Sequence, residues 1–293
     1  MKNVAVVAHT AKSLGGGLDD LRTTLARHGV VEPQWYEIDK SRKAPSRVRR
    51  ALERGAELVF VWGGDGTVQR TADAMAGSEA TLAILPAGTA NLLATNLGVP
   101  KDLTAAVEIG LGGLRRRLDL GTMNGERFAV MAGVGFDALM IRDADRGAKD
   151  RFGRLAYVWA GARHLGDDVV DVKVKVDGAP WFEGPASCVL IGNVGTVTGG
   201  VEVFPDACPD DGVLELGVLS AHGVWQWSRV ITRAVVSGVE KSPLVRTTAG
   251  RRVDVKLASK RPYELDGGAR KKTDRLKVRI DAGALTVAVP SAA

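Results

Sequence analysis

The chain has 293 residues, 45% hydrophobic and 25% charged, which excludes a chain dominated by disorder and, at about 150 residues per domain, suggests two domains. Its two cysteines, Cys188 and Cys208, show no CxxC spacing, so neither a disulfide framework nor a zinc site is indicated, and a reducing cytoplasm fits best. Forty Lys and Arg against 34 Asp and Glu leave a net charge of +6, gathered at Lys40-Ser41-Arg42-Lys43 with Arg47, Arg49 and Arg50, at Arg115-Arg116-Arg117, and at Lys260-Arg261 with Arg270-Lys271-Lys272. Such clusters serve as solvated helix faces, as nucleic-acid contacts, or as docking points for anionic phosphates and lipid headgroups. Nucleic acid is not expected, because no helix-turn-helix, zinc-finger or aromatic RNP pattern accompanies the charge. Val4–Ala8 is too short for the apolar core of a signal peptide, and no apolar run reaches the roughly 18 residues of a membrane span.

Over the first 120 residues strand and helix patterns alternate. Val4–Ala8 predicts a buried strand, and Leu18, Leu21 and Leu25 recur at helical spacing before Gly29 ends the helix. Val31–Ile38 reads as a weaker strand broken by Pro33, Ser46 as the cap of a helix through Leu52 to Gly55, and Leu58–Trp62 as a buried parallel strand. Thr67–Met75 predicts a helix, Thr81–Leu85 a strand, Asn91–Leu97 a helix, and Asp102 the cap of a helix over Leu103–Ile109. This order predicts an α/β fold class: a Rossmann-like open parallel sheet domain over residues 1–121, with ligands at the carboxyl ends of its strands. After Leu120 the texture changes to short strand-like runs at Phe128–Ala132, Val169–Val176, Ala186–Val194, Gly212–Val218, Arg252–Leu257 and Leu276–Ile280. These predict an antiparallel β-sandwich domain over residues 122–283, interrupted by a helix over Arg151–His164 and a second after His222. Strict alternation in Val172-Lys173-Val174-Lys175-Val176 places one sheet face in water. Ala284–Val289 is a final strand, expected to join the first domain as part of residues 284–293.

Two glycine-dense runs stand where strands give way to helices. In the first, Val59–Trp62 leads into Gly63-Gly64-Asp65-Gly66-Thr67. Glycines let successive N–H groups turn inward around an anion, and the helix that follows adds its positive end. Asp65 repels phosphate, so its place there fits a divalent cation or a bound water in between. The second run is Leu85-Pro86-Ala87-Gly88-Thr89-Ala90-Asn91, in which Gly88 permits close backbone approach and Thr89 offers a hydroxyl and a helix cap. Each run alone also describes a plain strand-to-turn link or a capped helix; two at successive strand ends point to a nucleotide.

With Asp119-Leu120-Gly121, Gly133-Val134-Gly135-Phe136-Asp137-Ala138, Phe204-Pro205 with Asp210-Asp211-Gly212, and Leu265-Asp266-Gly267 following in order, the chain resembles the diacylglycerol kinase catalytic family, which also holds bacterial lipid kinases and sphingosine kinases. The resemblance extends over nearly the whole chain. It implies a nucleotide domain, a β-sandwich for the lipid substrate, an ATP site in the cleft between them, and ATP-dependent phosphorylation of a lipid hydroxyl, with diacylglycerol the default acceptor. ATP and Mg²⁺ are the implied cofactors. Gly63, Gly64, Gly66 and Thr67 would cradle the ATP phosphates, with Gly88 and Thr89 at the nucleotide. Asp65, helped by Asp119, would hold the catalytic Mg²⁺ through water, and Asp266 would be the catalytic base that takes the proton of the attacking hydroxyl. Asp137 and Asn91 would lie toward the lipid, although Asp137 is equally a structural turn residue. Asp211, with the carbonyls of Cys208 and Val213, would hold a second, structural Mg²⁺, although Asp211-Gly212 is also a common turn. The implied partner is a lipid at the inner face of the membrane, where the protein would dock peripherally; a homodimer stays open.

The chain departs from the family pattern at four places. Ala8-His9-Thr10-Ala11-Lys12-Ser13 stands where Asn-Pro-x-x-Gly is usual, and there Lys12 and Thr10 are the candidates to replace lost backbone contacts. Ile38–Ala44 brings extra cations where a Thr-rich stretch is expected, and Leu92-Leu93 replaces Asp-Phe after Asn91. Finally, Asp266-Gly267-Gly268 replaces Asp-Gly-Glu, which keeps the base and removes one ligand, so altered metal or nucleotide dependence or weak activity is expected. Two alternatives follow: an enzyme like the NAD kinases, which share Gly-Gly-Asp-Gly-Thr but differ at the second run, and a catalytically weak lipid- or nucleotide-binding regulator.

Overall fold

The computed structural model describes residues 3–135, 169–197, 201–221 and 244–291; the helices expected over Arg151–His164 and after His222 lie outside them. The chain divides into one unit of Met1–Leu120 with Ala282–Ala293 and a second of Gly121–Asp281.

The first unit runs β1 (Val4–His9), α1 (Leu18–Arg27), β2 (Gln34–Ile38), a 3-10 turn (Ser41–Lys43), α2 (Ala44–Glu53), β3 (Leu58–Gly63), α3 (Asp65–Met75), β4 (Thr81–Pro86), α4 (Leu92–Asn96), α5 (Leu103–Gly112) and the start of β5 (Leu114–Met123). All residues of β1, β3 and β4 are buried, which is why these strands read as continuous apolar runs rather than alternating ones. They pair in parallel in the order β2-β1-β3-β4. The chain thus reverses its direction across the sheet between β1 and β3, the place where open α/β sheets leave a crevice beyond the strand ends. Asp102 caps α5 by accepting the Ala105 N–H at 2.8 Å. Ser46 caps nothing: α2 begins two residues earlier with Pro45 in its first turn, and the Ser46 hydroxyl donates to the Lys43 carbonyl. Proline's fixed φ and missing N–H suit that first turn.

The second unit takes the end of β5 and then β6 (Glu126–Phe128), β7 (Met131–Val134), β8 (Val170–Val176), β9 (Ala179–Ala186), β10 (Cys188–Gly192), the short β11 (Thr196–Val197) and β12 (Val201–Glu202), β13 (Leu214–Leu219), β14 (Val245–Gly250), β15 (Arg252–Arg261), β16 (Tyr263–Leu265), β17 (Gly268–Ala269) and most of β18 (Thr273–Val289). In one sheet β18, β15, β8 and β9 are antiparallel neighbours, with β5 beside β18 and β6 beside β5; the other has the order β14-β13-β10-β7-β16-β17. Their inner faces share a core that includes Phe128, Ile191, Leu216, Val253, Val255 and Leu276. β9, with Pro180, Gly184 and Pro185, carries no strand signal and is an edge strand, where proline is tolerated.

Three hairpins of this unit turn on two residues each. Asn124-Gly125, Asp177-Gly178 and Asp266-Gly267 have φ of 51° and 92°, 50° and 88°, and 45° and 76°. The flanking pairs are Met123 with Glu126, Val176 with Ala179, and Leu265 with Gly268. Positive φ at both central residues is the type I′ geometry, which Asn-Gly and Asp-Gly favour.

β18 differs from expectation by being one strand of 17 residues rather than two separate ones. Its last part belongs to the first unit, where Thr286 and Val287 pair in parallel with Thr81 and Leu82 of β4.

Candidate active site

The two glycine runs meet. A Cβ added to Gly88 would lie 2.4 Å from the Gly64 Cα, so the backbones approach more closely than any side chain allows. β3 ends at Gly63 and α3 begins at Asp65, so the first run is a strand running almost directly into a helix whose N-terminus has no side-chain cap. Asp65 spans the junction: its Oδ1 accepts the Leu92 N–H at 2.5 Å and its Oδ2 the Asn91 N–H at 3.1 Å. It therefore caps α4 from another segment, and Thr89, exposed, does not hold the cap position expected for it. Burial pushes the Asp65 carboxyl above the usual range; the Leu92 and Asn91 N–H groups and the nearby Lys12 ammonium oppose that shift.

Asn91 closes the second turn on itself. Its φ is 49°, its Oδ1 accepts the Gly88 N–H at 2.8 Å, and its Nδ2 donates to the Gly88 carbonyl at 2.8 Å. Both ends of the amide are thus committed to shaping the turn. Lys101 donates to the same Gly88 carbonyl at 3.0 Å. Thr67 is buried with its hydroxyl 2.9 Å from that of Ser41. Neither Lys101 nor Ser41 carries a sequence signal, since each is linked through the fold to a distant segment.

At the end of β1, Lys12 is exposed and its carbonyl accepts the indole N–H of the fully buried Trp62 at 3.0 Å. Buried His9 takes the Ala11 N–H on Nδ1, a turn contact that leaves it shaping the loop. Asp119, buried on β5, accepts the Gly283 N–H at 2.6 Å.

In the second unit Asp266 opens the type I′ turn and is 3% exposed. Its Oδ2 accepts the Ala129 N–H at 2.8 Å, and its Oδ1 accepts those of Val130 and Met131, both at 2.9 Å. Asn124 and Asp177, at the same position of their own turns, likewise bind backbone of a neighbouring segment, at Arg275 with Lys277 and at Arg251 with Arg252. Gly268 leaves room for Arg270: a Cβ there would lie 2.7 Å from its Nη1. The Arg270 guanidinium donates to both oxygens of Glu126, with Nε to Oε2 at 2.7 Å and Nη2 to Oε1, and the pairing holds the Arg270 pKa above the usual value. The two residues are 144 positions apart, so nothing in the sequence announces the pair.

Asp211 is exposed and accepts the Val213 N–H at 3.0 Å, while the Cys208 thiol donates to Asp210 at 3.0 Å. Burial, and then the charges of Asp206 and Asp211, push the nearby Glu215 carboxyl upward. Asp137 lies outside the described residues.

These groups fit a nucleotide phosphate better than a protein-built metal cage. The contact between Gly64 and Gly88, the uncapped α3 and the cations Lys12 and Lys101 all favour an anion. Both Asp65 oxygens already accept N–H groups, and among the described residues no group of three or more His, Cys, Asp and Glu side chains is placed to hold a metal. A cation at Asp65 would be held through water and by phosphate oxygens, as suits Mg²⁺.

Residues 10–123 match the model of the diacylglycerol kinase catalytic domain, and residues 130–289 match that of the YegS C-terminal NAD kinase beta sandwich-like domain. The chain belongs to the diacylglycerol kinase catalytic family. Family relatives include a diacylglycerol kinase of Bacillus subtilis, 29% identical over 228 residues that cover 76% of this chain and 75% of that protein. A protein named "Probable lipid kinase YegS-like" of Pseudomonas aeruginosa is 33% identical over 213 residues, 69% of this chain and 68% of its own. The match to the uncharacterized protein sll0036 of Synechocystis, 29% identical over 70% of this chain, spans only 48% of that protein's length. Among solved structures, a diacylglycerol kinase from Bacillus anthracis superposes with a TM-score of 0.76 at 20% identity, covering 98% of this chain and 97% of that one. An NAD kinase from Archaeoglobus fulgidus in complex with ATP gives 0.57 at 11% identity, covering 98% and 93%. These structural likenesses establish the fold, and the family models establish a kinase.

Proposed function

We propose that this family member transfers the γ-phosphoryl group of ATP to a lipid hydroxyl, with diacylglycerol as acceptor and phosphatidic acid as product. The observation that carries the reading is the backbone contact of Gly64 with Gly88 at two successive strand ends, beside the uncapped N-terminus of α3. Backbone N–H groups of Gly64–Gly66 would bind the phosphates in the turn that Gly63 and Thr67 shape, Gly88 would allow their close approach, Lys12 and Lys101 would add charge, and Asp65 would orient water around Mg²⁺. Bound Mg²⁺ supplies neutralisation of the charge on the β- and γ-phosphates. Asp266 would accept the proton of the lipid hydroxyl. Its three backbone hydrogen bonds orient the carboxylate, which matters where the transition state is loose and positioning carries most of the barrier. Asp211 with the Cys208 and Val213 carbonyls would hold a structural Mg²⁺, near Asp206 and Glu215.

The test is incubation with γ-labelled ATP, Mg²⁺ and dispersed diacylglycerol, with NAD as acceptor in a parallel reaction. Labelled phosphatidic acid is expected, lost by roughly 10² or more in Asp65→Ala. Labelled NADP alone would replace this reading with that of an NAD kinase, and no product in either tube would leave a non-catalytic binder.

A further inference from the structure

The outer face of the sheet formed by β18, β15 and β8 carries more cations than acids among the described residues. Opposite residues of antiparallel neighbours point to the same side of a sheet, so the register decides which charges meet. Arg252 stands opposite Arg279, and Lys256 stands opposite both Arg275 and Lys173. Like charges directly opposed destabilise a sheet. Only Asp254, opposite Lys277 and Lys175, interposes an acid on β15. The acids at the margins are shared: Glu183 pairs with Lys173 at 2.5 Å, and Asp281 contacts both Arg127 at 2.9 Å and Arg279 at 3.4 Å. Between β18, β15 and the β5–β6 turn this face forms a groove of about 740 Å³ lined by Arg252, Arg275, Lys277 and Arg279, with Asp254 as its one acid.

We propose that this face docks the protein on an anionic lipid surface. The like-charge juxtapositions on either side of Asp254 cost stability that the pairs at the margins offset only in part, whereas a plane of anionic headgroups would neutralise them together. Among the described residues no aromatic side chain lines the groove to give the stacking platform that single-stranded nucleic acid uses. The clusters singled out in the sequence, by contrast, are partly spent inside the fold: Arg115 donates to the Gly110 and Gly113 carbonyls, and Arg270 is held by Glu126. The proposal rests on the lipid-kinase reading, since it names how the enzyme would reach a substrate that resides in a membrane.

The test compares the full chain with Arg252→Gln/Arg275→Gln/Lys277→Gln, none of which belongs to the proposed catalytic groups. Vesicles of phosphatidylcholine alone and of equal parts phosphatidylcholine and phosphatidylglycerol are sedimented with each protein at low and high salt. The wild type is expected on the mixed vesicles only, released by salt, and the triple variant is expected to bind roughly 10² more weakly, at about fivefold per cation. The variant relieves the Arg252–Arg279 and Lys256–Arg275 juxtapositions and loses the Asp254–Lys277 pair, so a similar stability is expected, and a urea midpoint checks this. Phosphorylation of a dispersed short-chain diacylglycerol should be the same in both proteins. Equal vesicle binding by the two proteins overturns the docking face while the kinase reading stands. Absence of short-chain phosphorylation in both proteins overturns the kinase reading while the vesicle result still judges the face. Salt-sensitive capture of duplex DNA, lost in the variant, without capture of vesicles would overturn the proposal in favour of a nucleic-acid surface.

Discussion

Asp266 holds three backbone N–H groups and is the proposed base, and one substitution separates the two roles. Asn tolerates the positive φ of the turn, so Asp266→Asn should keep the hairpin, but its NH₂ must face a backbone N–H of the segment Ala129–Met131. The expected loss is about 1–3 kcal/mol in urea unfolding. As the base, the same change should lower kcat by roughly 10² or more. A kcat that falls only in step with the folded fraction would remove the base role and leave the structural one. Asp65 gives a second prediction at this scale. Burial raises its folded pKa above the unfolded value, so the folded state holds the proton more tightly; stability from this group is fully present below about pH 4 and is lost as pH rises through the raised value. Comparing urea midpoints of wild type and Asp65→Asn across that range should show the wild type falling relative to the variant. A parallel pair of curves would contradict the direction.

At the scale of elements, the two strand-to-helix junctions act as one. Asp65 at the start of α3 caps α4, and Asn91 closes the turn that presses on Gly64. Gly88→Ala places a methyl against backbone, which cannot rotate away, so we expect about 1–3 kcal/mol of destabilisation and a loss of ATP affinity larger than that from Thr89→Ala at its exposed neighbour. Differential scanning fluorimetry with and without ATP would show both effects. The Asp-Gly-Gly departure from the family also has an element-level meaning: without a side chain at Gly268, Arg270 lies back across the hairpin and engages Glu126.

Over the whole molecule, the first unit is closed by the far end of the chain. Leu285, Val287, Ala288 and Val289 are buried, and Gly283 takes hydrogen bonds from Arg117 and gives one to Asp119. Ending the chain before Ala282 would expose the edge of β4 and forfeit about 5 kcal/mol or more of apolar burial, comparable to the stability of a domain. Such a truncation should be insoluble on expression, and a soluble, cooperatively folded product would show the strand to be dispensable.

Much of the fold is legible along the chain because its causes are local. Unbroken apolar runs in β1, β3 and β4 reflect burial on both faces, and alternation in β8 reflects burial on one, so both are local properties of the strands. Glycine runs at strand ends and Asp-Gly at a hairpin are likewise written in adjacent residues. The tertiary structure decided which partners those residues meet. Asp65 holds the N–H groups of Asn91 and Leu92, Asp266 fastens Ala129–Met131, and Arg270, part of a basic cluster along the chain, is paired with Glu126. Hydrogen bonds between segments up to 166 residues apart depend on chain topology, and charges opposed across β15 and β18 depend on register, neither of which a local pattern specifies.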